Sequence, residues 1–230
     1  MTTIADALAR IEDRIAAALA RRGAGPQVHL IGVSKKQPLD KLLAAHAAGL
    51  REFGENYAQE LRDKQASWPS ELAPPRWHFI GALQTNKIKY VVGKTLIHTV
   101  DRVELLQAIA ERATRLGVVQ EFLVEVDLGG EDQKAGVAPH ELPALLDGVA
   151  ALASVRCIGL MCIPPVEGEP EASRPHFARL RELAERLRTQ QREHVDLREL
   201  SMGMSADFEQ AIEEGATLVR VGTAIFGARS

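Results

Sequence analysis

Eight strand-like segments, each followed by a helical one, predict a (β/α)8 TIM barrel for this chain of 230 residues. Three observations carry the expectation. Strand and helix patterns alternate from residue 28 onward, the length suits one barrel, and polar side chains collect at the carboxyl ends of the strand segments, where such barrels hold their sites. A doubly wound open sheet is the second architecture that the alternation allows. No Ser/Gly-rich or low-complexity stretch divides the sequence, so residues 1–230 are expected to form a single domain, with residues 1–25 as an added N-terminal helix.

The added helix shows in Ile4, Leu8, Ile11, Ile15, Ala18 and Leu19, spaced by three and four, and Gly23 and Gly25-Pro26 stop it. Val28, Leu30, Ile31 and Val33 then make a first apolar strand that runs into Lys35-Lys36-Gln37-Pro38. Pro38 opens a helix through Ala48, closed by Gly49. The unit recurs as strand 51–55 with helix 56–66, 77–82 with 84–92, 96–100 with 102–116, 121–128 with 139–153, 155–163 with 171–193, and 199–202 with 205–214. Strand 217–221 and a short terminal turn complete the set. Phe177, Leu180, Leu183, Ala184 and Leu187 mark the buried stripe of the long sixth helix.

Composition excludes several classes of function. Lys plus Arg total 28 against 31 Asp plus Glu, a formal charge of −3 with a pI of about 6.2, so neither nucleic acid nor an anionic membrane is expected as a partner. Cys157 and Cys162 lie on one strand segment with their side chains on opposite faces and cannot bridge each other. Residues 1–22 carry Asp6, Glu12 and Asp13 and lack the continuous apolar core of a signal peptide. No run reaches the roughly eighteen apolar residues of a membrane span, and a cytoplasmic protein is expected.

The strand ends hold Lys35; Glu55-Asn56-Tyr57; His78; Gln84-Thr85-Asn86-Lys87; Asp101-Arg102; Lys134-Ala135-Gly136; Met161; Ser201-Met202-Gly203-Met204-Ser205; and Arg220-Val221-Gly222-Thr223. A lysine at the end of a buried strand is disfavoured as an ammonium, and its amine becomes a nucleophile toward aldehydes. A lysine in a solvated loop is the plainer alternative. Ser201 to Ser205 and Gly222-Thr223-Ala224 follow strands seven and eight, the place where barrels commonly cradle phosphate, although no Gly-x-x-x-x-Gly-Lys-Ser/Thr occurs. Arg220 shares its strand face with Gly222 and is placed to reach a ring held below that phosphate. An imine-forming amine beside a phosphate cradle points to pyridoxal 5'-phosphate, PLP. An arginine at the ring nitrogen would keep that nitrogen unprotonated and weaken the ring as an electron sink.

These segments resemble those of the pyridoxal-phosphate homeostasis proteins, small relatives of the alanine racemase N-terminal barrel. The matching pieces are Val33-Ser34-Lys35, residues 53–60, residues 77–87, residues 134–137, Gly159-Leu160-Met161, residues 200–207 and residues 219–227, in the family's order. The resemblance implies a barrel of the alanine racemase N-terminal type in which Lys35 carries the internal aldimine. It also implies phosphate contacts from Ser201, Ser205, Gly222 and Thr223, Arg220 at the ring nitrogen, Asn56 near the ring, and His78 and Met161 on the pocket wall. A histidine satisfied within the core is the equal alternative for His78. Lys36, where a smaller residue is expected, and Ala82 and Cys162 depart from the family pattern.

The function that the resemblance implies is intracellular PLP homeostasis, with buffering or delivery to apo PLP enzymes, a part in amino- and keto-acid balance, no clear turnover, and a monomeric state. A PLP-dependent racemase is the alternative. Its second acid/base comes from a tyrosine of an additional domain that this sequence, ending at Ser230, is not expected to carry. A lysine-dependent phosphosugar enzyme without cofactor is the third reading. No metal site and no catalytic residue are expected.

Overall fold

The computed structural model describes residues 3–129, 135–165 and 169–227. Its eight parallel strands are β1 His29–Val33, β2 Glu52–Glu55, β3 Arg76–Phe79, β4 Leu96–Val100, β5 Gln120–Glu125, β6 Val155–Met161, β7 Val195–Ser201 and β8 Leu218–Val221. They pair in sequence order, and β8 returns to β1 with Leu218 opposite His29 and Arg220 opposite Ile31. That closing ladder makes a barrel and rules out the open sheet.

Around the barrel run α1 Ile4–Arg22, α2 Leu39–Ala47, α3 Ala58–Ala66, α4 Val103–Leu116, α5 Leu142–Ala150, α6 Arg174–Arg188, α7 Phe208–Glu213 and α8 Thr223–Phe226. Two helical expectations are corrected. The connection from β3 to β4 is a single 3-10 segment, Thr85–Tyr90, because only Ile88 within it finds a buried place. The helix expected over 171–193 begins instead with the 3-10 turn Pro170–Ser173, and α6 stops at Arg188. Gln191 and His194 then take φ values of 42° and 60°, which no helix continues through, and β7 starts earlier than its apolar residues suggest.

Strand alternation divides the interior in two. Phe53, Trp77, Phe79, Phe122, Leu160 and Val219 face outward and pack with the buried stripes of the helices in one continuous shell. Ile31, Leu96, Leu123, Ile158, Met161 and Leu218 form a separate cluster built from strands alone, inside the barrel. Both cysteines are buried and free, and burial pushes each thiol up to about 12, so neither is a reactive thiolate. At Gly159 a Cβ would stand 1.9 Å from the Glu199 carbonyl oxygen; glycine is what lets β6 and β7 approach there.

The added helix closes across the chain's two ends. Thr3 and Asp6 form a reciprocal capping box at its start. Its far side packs on α7, where Arg14 meets Glu209 at 2.6 Å and Arg21 meets Glu209 at 2.9 Å and Glu213 at 2.5 Å.

Candidate cofactor site

Lys35 lies two residues past Val33 and four past Ile31, on the strand face that looks into the barrel. It shares a cavity of about 270 Å³ at the carboxyl ends of the strands with Val33, Ser205, Arg220, Gly222 and Thr223. Ser205 and Gly222 already touch, the Gly222 N–H donating to Ser205 Oγ at 3.3 Å. Gly203 makes the preceding turn at φ 88°, and a Cβ there would meet that of Ala211 at 2.5 Å. Four residues from three separate stretches of sequence, Lys35, Ser205, Arg220 and Thr223, thus converge on one space.

The neighbouring lysine is turned away. Lys36 sits at φ 58°, its N–H donates to Glu60 Oε1 at 2.6 Å, and its exposed side chain places Nζ 5.8 Å from the Tyr57 ring centre. Behind the strand end, Lys64 Nζ donates to Glu55 Oε1 at 2.7 Å, to Glu60 Oε1 at 2.6 Å and to the Ser34 carbonyl at 2.7 Å, while Ser34 Oγ donates to Glu55 Oε1 at 2.6 Å. Burial raises the Glu55 carboxyl pKa above the usual range, against the opposing pull of Lys64 and Ser34. This buried cluster pins the ends of β1 and β2 from outside the barrel and leaves Lys35 as the side chain that enters it.

The other expected positions divide. Asn56 borders a second cavity, of about 280 Å³, with Tyr57, Gly81, Ala82 and Lys87, and its Oδ1 is buried with no hydrogen-bond partner among the described residues. Gly81 makes this possible, since a Cβ there would lie 2.3 Å from the Asn56 carbonyl oxygen. Met161 is fully buried within the inner apolar cluster. Ser201 is not among the residues that line the Lys35 cavity: it ends β7 pointing into the barrel, fully buried, with Oγ 2.6 Å from Arg220 Nη1 and 2.9 Å from His98 Nδ1. His78 takes the core position that was its equal alternative, fully buried with Nδ1 2.9 Å from His98 Nε2 and Nε2 2.8 Å from Glu52 Oε2. Arg220 is 4% exposed and also donates to the Cys162 carbonyl at 3.0 Å. Lys134 lies outside the described residues, and among those residues no group of His, Cys, Asp or Glu is arranged to hold a metal ion.

The Alanine racemase, N-terminal domain family model matches residues 7–230. A pyridoxal phosphate homeostasis protein of Aquifex aeolicus is 47% identical over 96% of both chains, and one of Pseudomonas aeruginosa is 45% identical over 100% of this chain and 97% of its own. The chain belongs to the pyridoxal phosphate homeostasis protein family. PipY of Synechococcus elongatus PCC7942, solved with PLP bound, superposes with a TM-score of 0.82 at 39% identity, covering 93% of this chain and 100% of PipY. Among the described residues of this family member no helix is long and apolar enough to cross a membrane.

His98, Glu52 and Glu125 also face this interior. His98 and Glu52 sit inside strands rather than at their carboxyl ends, and only their alternation with outward apolar residues marks them as inward. Glu125 ends β5 two residues past the inward Leu123; the strand was expected to run to residue 128, which hid it. Burial raises the Glu125 carboxyl to about 7, with the Asp101 charge adding to the rise and Arg220 opposing it. An acid whose folded pKa exceeds its unfolded value of about 4.5 binds more protons when folded, so its cost to stability is absent at pH 4 and complete above pH 7. Glu125→Gln is expected to raise the melting temperature by roughly 5 °C or more at pH 8.5 and to change it little at pH 4.5, measured by calorimetry. Equal shifts at both pH values would remove Glu125 as a group titrating near neutrality.

Proposed function

We propose that this chain holds pyridoxal 5'-phosphate through Lys35 and keeps it in store rather than consuming it in turnover. The observation that carries the reading is the convergence of Lys35, Ser205, Arg220 and Thr223 on one cavity. The residues fit the group: an amine for the aldehyde, a hydroxyl pair with helix-start N–H groups for the phosphate, and a guanidinium at the deep end for the ring nitrogen. The Asn56 Oδ1 that borders the second cavity, with no hydrogen-bond partner among the described residues, is a further acceptor for a polar ligand or its water. When bound, the cofactor supplies an aldehyde that condenses with the lysine amine, one C=N bond forming as one water leaves.

The protein's own groups favour holding over conversion. Arg220 carries a charge that disfavours a proton on the adjacent ring nitrogen, which limits the ring's capacity to stabilise a carbanion. Neither Tyr57 nor Tyr90 borders the Lys35 cavity, so no phenol stands there as a second acid/base. Storage and delivery of PLP to apo enzymes in the cytoplasm, by a monomer, with an influence on amino- and keto-acid pools, is the role this chemistry suits.

The test is spectroscopic. Mixing the purified protein with PLP is expected to produce a visible absorbance band that borohydride fixes onto the peptide containing Lys35, as read by mass spectrometry. Ser205→Ala combined with Thr223→Val is expected to weaken PLP affinity by roughly tenfold or more, each lost hydrogen bond to a charged group contributing. Unchanged affinity would remove the phosphate assignment, and steady racemisation of an amino acid by the loaded protein would overturn the storage reading.

A further inference from the structure

A continuous line of polar side chains, half-buried at His29 and Glu52 and fully buried from His78 to Ser201, crosses the barrel from its amino end to Arg220. His29 Nδ1 lies 2.7 Å from Glu52 Oε1; Glu52 Oε2 lies 2.8 Å from His78 Nε2; His78 Nδ1 lies 2.9 Å from His98 Nε2; and His98 Nδ1 lies 2.9 Å from Ser201 Oγ, which meets Arg220 Nη1 at 2.6 Å. Glu52 and His29 are the first residues of β2 and β1, whereas Ser201 and Arg220 stand at or near the carboxyl ends of β7 and β8, so the line climbs the interior as it crosses it. His78, His98 and Ser201 are fully buried, and the storage function described above uses none of their polar atoms.

The donor and acceptor inventory fixes every proton in this line. Burial lowers the pKa of His78, with Glu52 pulling the other way, and burial with the Arg220 charge places that of His98 well below its ordinary value; both shifts favour the neutral ring. Burial works to raise the Glu52 carboxyl, but the His78 hydrogen bond and the neighbouring His29 and Arg76 lower it overall, which favours the ionised carboxylate. A carboxylate only accepts, so the His78 proton is on Nε2 and Nδ1 is an acceptor. His98 must then donate from Nε2 and accept at Nδ1, and Ser201 must give its hydroxyl proton to His98. Arg220 only donates, and it finds the free lone pairs of Ser201 facing it.

We propose that Glu52, His78, His98 and Ser201 form a positioning chain that aims the Arg220 guanidinium at the ring end of the cofactor site, with its orientation set at Glu52 on the opposite end of the barrel. The proposal rests on the PLP reading for what Arg220 faces, but the chain itself is a property of the protein alone. Removing the Glu52 acceptor frees the His78 ring to exchange tautomers, and the change passes through His98 to the hydroxyl on which Arg220 rests.

Two measurements test it. Long-range ¹H–¹⁵N NMR of the full chain without cofactor is expected to show His78 and His98 both neutral and both Nε2–H; a cationic ring or an Nδ1–H tautomer at either would overturn the chain. In the loaded protein, Glu52→Leu is expected to weaken PLP affinity about tenfold, the loss of one hydrogen bond at a charged group, and to shift the visible band. Glu52→Gln, which keeps an acceptor for His78, is expected to restore both, a rescue that mere filling of space would not give. Wild-type affinity and an unmoved band in a folded Glu52→Leu protein would sink the positioning role while leaving PLP binding intact. A wild-type protein that binds no PLP would instead sink the storage reading, and the tautomer measurement would still decide the chain.

Discussion

Lys35→Ala is expected to leave the protein without a visible PLP band and without a borohydride-fixed adduct, and to lower PLP affinity by roughly a hundredfold. The residual binding comes from Ser205, Thr223 and Arg220, which border the same cavity and are untouched by the substitution. Folding is expected to survive, because Lys35 is only partly buried and a substitution of that kind shifts stability by about 0.5 kcal/mol or less. Absorbance titration and equilibrium dialysis check both halves. A band of undiminished strength would transfer the link to Lys36, and the φ 58° turn that now points Lys36 at Tyr57 would then have to be rebuilt.

The second large effect concerns a lysine outside the cavity. Lys64→Met removes all three hydrogen bonds of Nζ and leaves Glu55, which is fully buried, without its cation. Breaking a buried pair from one side costs about 3–5 kcal/mol, so a drop in melting temperature of roughly 10 °C at neutral pH is expected. Burial raises the Glu55 pKa in the native protein, and losing Lys64 raises it further. The folded variant therefore takes up a proton more readily than the unfolded chain, and the deficit is expected to shrink as pH falls from 8 to 5. Glu55→Leu added to Lys64→Met is expected to recover most of the loss, since an apolar pair leaves no charge uncompensated. A single variant as stable as the wild type would mean that the cluster does not hold the ends of β1 and β2.

The barrel was legible because its two patterns are long and regular. Phe177, Leu180, Leu183, Ala184 and Leu187 mark the inward stripe of α6 in the sequence and are all buried in the structure, although the ends of that helix are set by Pro170 and by left-handed Gln191, which hydrophobic spacing does not report. Lys35, Ser205, Arg220, Gly222 and Thr223 could be named together because each lies at a strand end or just past one, the side of a barrel where ligands enter. Ser201 and His78 belong to the same strand-end stretches but do not line that cavity, and for His78 the core position was the equal alternative. Both point inward below the cavity, where a polar atom is satisfied by another interior polar atom. Their partners His98 and Glu52 carried no signal beyond alternation, and alternation tells which way a side chain faces but not what it meets across the barrel.

The ion pairs between α1 and α7 join residues 195 and 192 positions apart. At synthesis rates of 5–20 residues per second, α1 leaves the ribosome about 10–40 s before the helix it packs against exists. During that interval α1, which carries Leu8, Ile11 and Ala18, all buried in the finished protein, has α2 to pack on but neither α7 nor α8, and β1 waits equally long for β8. The earliest part of the chain to be made is thus among the last to be placed, and the nascent protein spends that time with an amphipathic helix open to whatever chaperone meets it first.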